Sequence, residues 1–132
     1  MKKLLILVTL ISSFMISSVA HADWTKVSEN MMGATFYIDL ERIRKRDGRV
    51  YYWALVDNLK PTKYGDFSWK SYNEAECGRF KYRVLTRQYY TEPMGEGTPS
   101  AIDKNQRDWT YPSPNAVDEA ILKLVCNHKT MQ

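Results

Sequence analysis

The sequence is poor in the residues from which catalytic and metal sites are built. It has two histidines, and only His128 lies outside residues 1–22. A Ser-His-Asp or Cys-His arrangement would need this one imidazole near the C-terminus, where side chains are commonly exposed. Residues 94–97, although they hold two glycines, lack the lysine and the strand-to-helix context of a phosphate loop. We therefore expect a protein that is not an enzyme and has no metal site.

Long apolar runs are equally scarce, and the one present lies at the N-terminus. Lys2 and Lys3 precede an apolar stretch, and small residues occupy the −3 and −1 positions of a cleavage site in Ala20-His21-Ala22. A membrane-spanning helix needs about 20 apolar residues, and this run is shorter. The pattern predicts a cleavable signal peptide over residues 1–22.

The mature chain, residues 23–132, is then predicted to be a single domain. Loss of the two signal lysines leaves 17 basic and 15 acidic residues, a net charge of +2, which is too small to indicate nucleic acid. No later stretch could span a membrane, and no cysteine follows the signal to carry a lipid anchor. We expect a periplasmic protein, or one secreted to the cell surface.

Only two cysteines are present, and both lie in the mature part. Cys77 and Cys126 are about 50 residues apart, which matches no zinc-binding spacing. An even number of cysteines in a small exported domain is typical of a disulfide. We expect these two residues to be bonded to each other.

The pattern of apolar residues predicts a β-sheet. Asp47-Gly48 suits a type I′ turn between two strands, because both central residues of that turn need positive φ. The strand that follows, residues 50–56, is apolar on both faces and is predicted to be central in the sheet. A second subunit or an apolar ligand would then cover the face that no helix protects.

A helix is predicted at the C-terminus. Ser113 is a suitable N-cap with Pro114 at the first helical position, and apolar residues follow at helical spacing up to Val125. A short edge strand is predicted at 109–111. The expected fold is α+β: an antiparallel sheet of five to six strands, with one C-terminal helix packed on it and tied by the disulfide.

Two basic clusters are the candidate binding residues. One is a row on a strand face, with Phe80, Tyr82 and Val84 facing the core, and the other precedes the Asp-Gly turn. The row comprises Arg79, Lys81, Arg83 and Arg87, and the second cluster comprises Arg42, Arg44, Lys45 and Arg46. Together they would attract a polyanion such as a sulfated glycan, lipopolysaccharide or an acidic protein patch. The alternative is a solvated face that Glu41, Glu74 and Glu76 neutralise across strands.

A series of short motifs lies in order along almost the whole mature chain. They are Tyr37-Ile38-Asp39, Ile43, Asp47-Gly48, Val50 to Asp57 with Trp53 central, Ser68, Lys70, Ser71, Glu76-Cys77, Arg83 to Leu85, Tyr90, Met94-Gly95-Glu96-Gly97, Trp109, and Pro114 through Val125-Cys126. This ordered set resembles the surface-adhesin E family of exported bacterial proteins.

The resemblance implies a sheet with a C-terminal helix tied by the Cys77–Cys126 bridge, and binding rather than catalysis. The adhesin that gives the family its name attaches to host matrix and plasma proteins such as laminin, vitronectin and plasminogen. It has also been linked to haem and to dimers, so haem is a possible cofactor and a homodimer a possible assembly by resemblance alone. His128 would be the one mature imidazole able to ligate haem iron.

These observations lead to one functional hypothesis and two alternatives. The first is an exported, non-catalytic binding module for host matrix or plasma proteins, or for an envelope component. The second is a periplasmic structural or envelope-maintenance protein without host adhesion, and the third is a small exported hydrolase. In the first, the partner is a protein or a polyanionic glycan outside the cytoplasm. In the second, the only partner is a second copy of the chain or another envelope protein.

Overall fold

A computed structural model describes residues 23–129, so the signal peptide predicted over 1–22 lies outside the described residues. The elements are β1 (Trp24–Glu29), β2 (Thr35–Asp39), β3 (Arg44–Arg46), β4 (Arg49–Asp57), β5 (Ser68–Glu76), β6 (Lys81–Tyr90), β7 (Ala101–Asp103) and α1 (Val117–Asn127). All strand pairs are antiparallel, in the order β1-β2-β4-β5-β6-β7, and β3 pairs with β4. Within 23–129 no helix is long and apolar enough to cross a membrane.

The hairpin between β3 and β4 forms as its sequence predicts. Asp47 and Gly48 have φ angles of 51° and 77°, and Arg46 pairs with Arg49 on either side of the turn. The turn leads into β4, which lies between β2 and β5. Its central position explains why this strand is apolar on both faces.

The helix packs on one face of the sheet and forms the core there. Leu122 and Val125 are fully buried against Ile38, Tyr52 and Ala75 from β2, β4 and β5. The predicted α+β fold is confirmed. The sheet has one or two strands more than the five to six predicted, because the three-residue strands β3 and β7 join it.

A disulfide ties the end of the helix to the sheet. Cys77, just after β5, is bonded to Cys126 in the last turn of α1, and their Cα atoms are 5.7 Å apart. The predicted disulfide is confirmed. It closes a ring that contains β6, β7 and nearly all of α1.

The predicted start of the helix was wrong. Ser113 and Pro114 lie in a turn closed by a hydrogen bond from the Ala116 amide to the Ser113 carbonyl oxygen. Asn115 has a φ of 61°, which is incompatible with a right-handed helix, so α1 begins at Val117. The edge strand predicted at 109–111 is reduced to a single bridge from Thr110 to Tyr82.

The predicted basic row on β6 is interrupted. Glu74 lies opposite Arg83, and Ser71 lies opposite Arg87. Between these two pairs β6 advances by four positions and β5 by only three, because the register shifts between Tyr72 and Asn73. A bulge of this kind moves later residues to the other face of the strand. Arg87 therefore lies on the helix side of the sheet, and the prediction that it continues the row was wrong.

The start of that row also differs from the prediction. Arg79 and Phe80 belong to the turn before β6, and Phe80 has a φ of 54°. Strand alternation therefore begins only at Lys81. Lys81 and Arg83 share a face, as predicted, opposite Glu76 and Glu74.

Candidate functional site

The face of the sheet opposite α1 presents an aromatic band, and we call this side the open face. The Trp53 and Tyr72 rings lie 5.1 Å apart, and Tyr51 stacks on Tyr72 at 6.1 Å between ring centres. All three side chains are partly exposed. Pairing Trp53 with Tyr72 across β4 and β5 produces this arrangement, since directly opposite residues in a sheet share a face.

One end of the open face is organised by Glu74. Its side chain is only 3% exposed, and it accepts hydrogen bonds from Arg49 Nη1 at 2.6 Å, Arg83 Nε at 2.8 Å and the Tyr51 hydroxyl at 3.2 Å. Burial alone would raise the pKa of Glu74, but the hydrogen bonds from Arg83 and Arg49 outweigh burial and lower it. Glu74 is thus a structural anion on β5 that links this strand to both β4 and β6.

Trp109 covers the cations around Glu74. The centre of its ring lies 4.3 Å from the Arg83 guanidinium carbon, 4.6 Å from Lys81 Nζ and 5.4 Å from the Arg49 guanidinium carbon. Cation–π contacts of this kind are stronger where water is excluded. The indole therefore covers Lys81 and Arg83, which are mostly buried, whereas Arg49 stays 41% exposed.

The predicted row on β6 meets carboxylates within the molecule. Lys81 and Arg79 lie 3.4 Å and 3.6 Å from the carboxylate of Glu76, and Arg83 pairs with Glu74. Arg87 lies on the helix side, where its guanidinium carbon is 5.9 Å from the Trp69 ring. Glu74 and Glu76 thus neutralise the cations of β6 and its preceding turn, as the alternative of a solvated face predicts. Glu41 takes no part in these contacts.

The cluster before the Asp-Gly turn is far less neutralised. Arg44, Lys45 and Arg46 are all exposed and take part in no ion pair among the described residues. Arg44 donates to the carbonyl oxygens of Glu41 and Ile43, and the Arg46 guanidinium lies 5.1 Å from the Tyr51 ring.

The register divides this cluster between the two faces. Arg44 and Arg46 lie opposite Tyr51 and Arg49, on the open face, whereas Lys45 lies opposite Val50, on the helix side. Within this cluster, Arg44 and Arg46 are therefore the cations without a carboxylate partner on the open face, and they extend the aromatic band at the β3–β4 corner.

A pocket of about 150 Å³ opens in the middle of the open face, and we call it the indole pocket. It is lined by Trp24, Asp39, Arg42, Trp53, Lys70 and Gln88. Asp39 is nearly fully buried because it caps the turn that follows β2, accepting from the Glu41 amide, and it pairs with Arg42 Nε at 3.3 Å. The pocket thus contains one neutralised carboxylate and two cations.

Lys70 lies in this pocket without an ion pair among the described residues. Its Nζ is 4.8 Å from the Tyr90 ring centre and 5.9 Å from that of Trp24. Its stem passes Gly95, where a Cβ atom would lie 2.5 Å from Lys70 Cε. Burial lowers the pKa of Lys70, partly offset by the charge of Glu96.

The turn at residues 93–95 closes the neighbouring end of the open face. Ser68 accepts a hydrogen bond from the Gly95 amide and donates to the Glu92 carbonyl oxygen, at 2.8 Å and 2.6 Å. Asp57 accepts from the Met94 amide at 2.7 Å. This turn covers Leu55 and fixes the wall against which Lys70 lies.

His128 has none of the surroundings that haem or a hydrolase requires. It caps the end of α1 in a shallow depression, beside Lys123, Asn127 and Lys129, with Leu124 as the one apolar wall. Haem needs an enclosing apolar cavity, so these residues do not fit it. No hydrogen bond joins His128 to a nucleophile or carboxylate in the described chain, and no group of three acidic, histidine or cysteine side chains there could hold a metal.

Sequence reasoning missed the indole pocket and the role of Trp109. The available signal was that residues 50–56 are apolar on both faces, so one apolar face has no helix to cover it. Trp24, Lys70 and Gln88 come from three other strands, and only the pairing of those strands brings them together.

The fold and the open face together define a class: a small, disulfide-linked α+β domain that presents one sheet face to its surroundings. The sequence matches the family model described as surface-adhesin protein E over residues 24–127. The chain belongs to the surface-adhesin protein E family. No curated protein matches it significantly.

Solved structures of Haemophilus influenzae protein E have the same fold. One is 19% identical with a TM-score of 0.62, over 83% of this chain and 88% of that one. A second crystal form is 17% identical with a TM-score of 0.61, over 83% and 91%. Protein E from non-typeable H. influenzae is 18% identical with a TM-score of 0.59, over 83% and 80%. At this level of identity, the similarity shows the fold alone.

Proposed function

We propose that the mature chain is an exported, non-catalytic adhesin that binds host matrix or plasma proteins through its open face. The observation that carries the proposal is the match to the surface-adhesin protein E family over residues 24–127.

The open face has the composition of a protein-binding surface. Tyrosine, tryptophan and arginine are the residues that dominate binding energy at interfaces. Here Tyr51, Trp53 and Tyr72 form a partly exposed band, and Arg44 and Arg46 adjoin it with no carboxylate partner in the described chain. Such a surface suits an acidic protein patch or a polyanionic glycan.

Arg44 and Arg46 replace the β6 row as our main candidates for binding charge. Arg79, Lys81 and Arg83 each have a carboxylate within 3.6 Å, so an external anion would compete with an existing partner. Arg44 and Arg46 face no such competition.

The proposal places the protein at the cell surface, and labelling of intact cells tests this. An amine-reactive reagent that cannot cross the outer membrane should modify the exposed Lys45 in intact cells. Labelling only after the membrane is permeabilised would show a periplasmic protein and favour the alternative, an envelope-maintenance role without host adhesion.

Capture experiments test the partner class. The mature chain, immobilised, should retain components of host matrix or plasma at physiological salt and release them at 1 M salt, where the screening length falls to ~3 Å. Retention of envelope components alone would contradict host adhesion. Analytical ultracentrifugation of the same protein tests whether a second copy covers the open face, since a dimer through this face would block capture.

A further inference from the structure

We propose that the indole pocket binds a single carboxylated sugar unit. The inference rests on the proposed function in using the same open face, but it concerns a small ligand within a defined cavity. Its elements are the size of the pocket, its two indole walls, a cation without an ion pair, and polar groups that suit hydroxyls.

The size of the pocket restricts the ligand. A volume of about 150 Å³ corresponds to roughly five water molecules, at ~30 Å³ each in the liquid. Pockets for drug-sized ligands hold ~300–1,000 Å³. The cavity therefore accommodates one sugar ring or a group of similar size, and it excludes a porphyrin.

The walls of the pocket suit the face of a sugar ring. Trp24 from β1 and Trp53 from β4 both line it. The face of an indole is electron-rich, so it attracts the positively polarised C–H bonds of a pyranose. A cavity lined by two indoles suits a ring whose faces carry C–H groups and whose rim carries hydroxyls.

The charge of the pocket favours a carboxylate on that ring. Asp39 and Arg42 neutralise each other at 3.3 Å, and Lys70 then leaves one positive charge without an ion pair in residues 23–129. Lys70 is partly removed from water, which is costly for an unpaired ammonium group. A ligand carboxylate would relieve this cost through a charge-assisted hydrogen bond.

The remaining polar groups suit hydroxyls. Gln88 accepts from the Tyr90 hydroxyl at 2.9 Å through Oε1, so its amide nitrogen is available to donate. Asp39 Oδ1 accepts from the Glu41 amide and Oδ2 pairs with Arg42, and each oxygen retains a further lone pair. The Gln88 amide can therefore donate to a sugar hydroxyl, and the Asp39 carboxylate can accept from one, within the same cavity.

Carboxylated sugars occur both in host glycans and in bacterial envelope polysaccharides. The experiment therefore compares glucuronic acid and N-acetylneuraminic acid, as host units, with ketodeoxyoctonate, as an envelope unit. Glucose serves as the neutral control and acetate as the carboxylate without a ring. The readout is the set of four indole N–H resonances in NMR spectra of the mature chain.

The expected result is a shift of the Trp24 and Trp53 indole signals with at least one acidic sugar at millimolar concentration. The Trp69 and Trp109 signals should not shift, because Trp69 lies on the helix side of the sheet and Trp109 lies beside Glu74, outside the pocket. Lys70→Gln should weaken this binding about tenfold or more, the loss expected for a hydrogen bond to a charged group. Lys63→Gln, which removes a lysine over the Tyr64 ring outside the pocket, is the matched control.

Three outcomes would overturn the inference: no indole shift with any acidic sugar, shifts of equal size with glucose or with acetate, or unchanged affinity in a folded Lys70→Gln variant. The wild-type titration does not depend on any variant, so it tests the inference even if Lys70→Gln does not fold. Sugar binding without capture of matrix proteins would refute the proposed adhesion and leave the inference standing.

Discussion

Removal of the Glu74 carboxylate tests how the open face is held together. The substitution Glu74→Gln keeps the shape of the side chain but removes the charge that Arg49 and Arg83 share. Glu76→Gln is the matched control, because Glu76 pairs with Arg79 and Lys81 at longer distances and is 25% exposed.

The size of the effect follows from burial. Breaking a fully buried ion pair costs ~3–5 kcal/mol, because a charge is left without a partner. Arg49 and Arg83 are 41% and 20% exposed, so water recovers part of the loss, and we expect about 2–3 kcal/mol for Glu74→Gln. For Glu76→Gln, whose carboxylate is partly solvated and whose contacts with Arg79 and Lys81 are longer, we expect at most about 1 kcal/mol.

The pH dependence has a definite sign. The pKa of Glu74 is lower in the folded protein than in the unfolded chain, so the folded state holds its proton less tightly. The stabilisation is therefore complete above the unfolded pKa of about 4.3 and is lost as the pH falls through the lower, folded pKa. The stability difference between wild type and Glu74→Gln should shrink across this acidic range.

Urea unfolding, followed by tryptophan fluorescence at neutral pH and at about pH 3, measures both effects. The single variant Arg83→Gln and the double variant Glu74→Gln/Arg83→Gln complete a thermodynamic cycle. The loss of unfolding free energy in the double variant should differ clearly from the sum of the two single losses. Equal losses for Glu74→Gln and Glu76→Gln, or a difference that does not change with pH, would refute this account of Glu74.

Two further substitutions test the disulfide and the wall of the pocket. Cys126→Ser should lower the free energy of unfolding by about 4 kcal/mol, since the bridge closes a loop of 49 residues. Urea unfolding measures this loss, and two free thiols in the folded wild type would contradict the bridge. Gly95→Ala should destabilise more than Gly97→Ala in thermal unfolding. Both positions have positive φ, but only at Gly95 does the new Cβ collide with Lys70. Equal melting temperatures would show that Gly95 does not position Lys70.

Local patterns predicted the parts of the fold that local physics determines. Asp47-Gly48 identified its turn because few residues adopt positive φ, and the apolar pattern of residues 50–56 identified the central strand. The disulfide required only that two cysteines find each other in an oxidising compartment.

The errors came from features with no local signature. The bulge opposite Tyr72 and Asn73 reverses the face of Arg87, and nothing in the β6 sequence marks it. Ser113 and Pro114 fit the start of a helix, but Asn115 has a left-handed backbone conformation that a right-handed helix cannot include, so the helix begins only after it. The indole pocket could not be predicted, because its residues meet only through the order of five strands.

The binding of host matrix proteins by charge variants tests the central claim most directly. Arg44→Gln/Arg46→Gln removes two cations from the open face, whereas Lys45→Gln/Lys129→Gln removes two exposed cations from the helix side. We predict that a matrix or plasma protein captured by the wild type binds the first variant at least about tenfold more weakly, with a smaller salt dependence, and binds the second variant unchanged. Equal affinity for both variants would contradict adhesion through the open face.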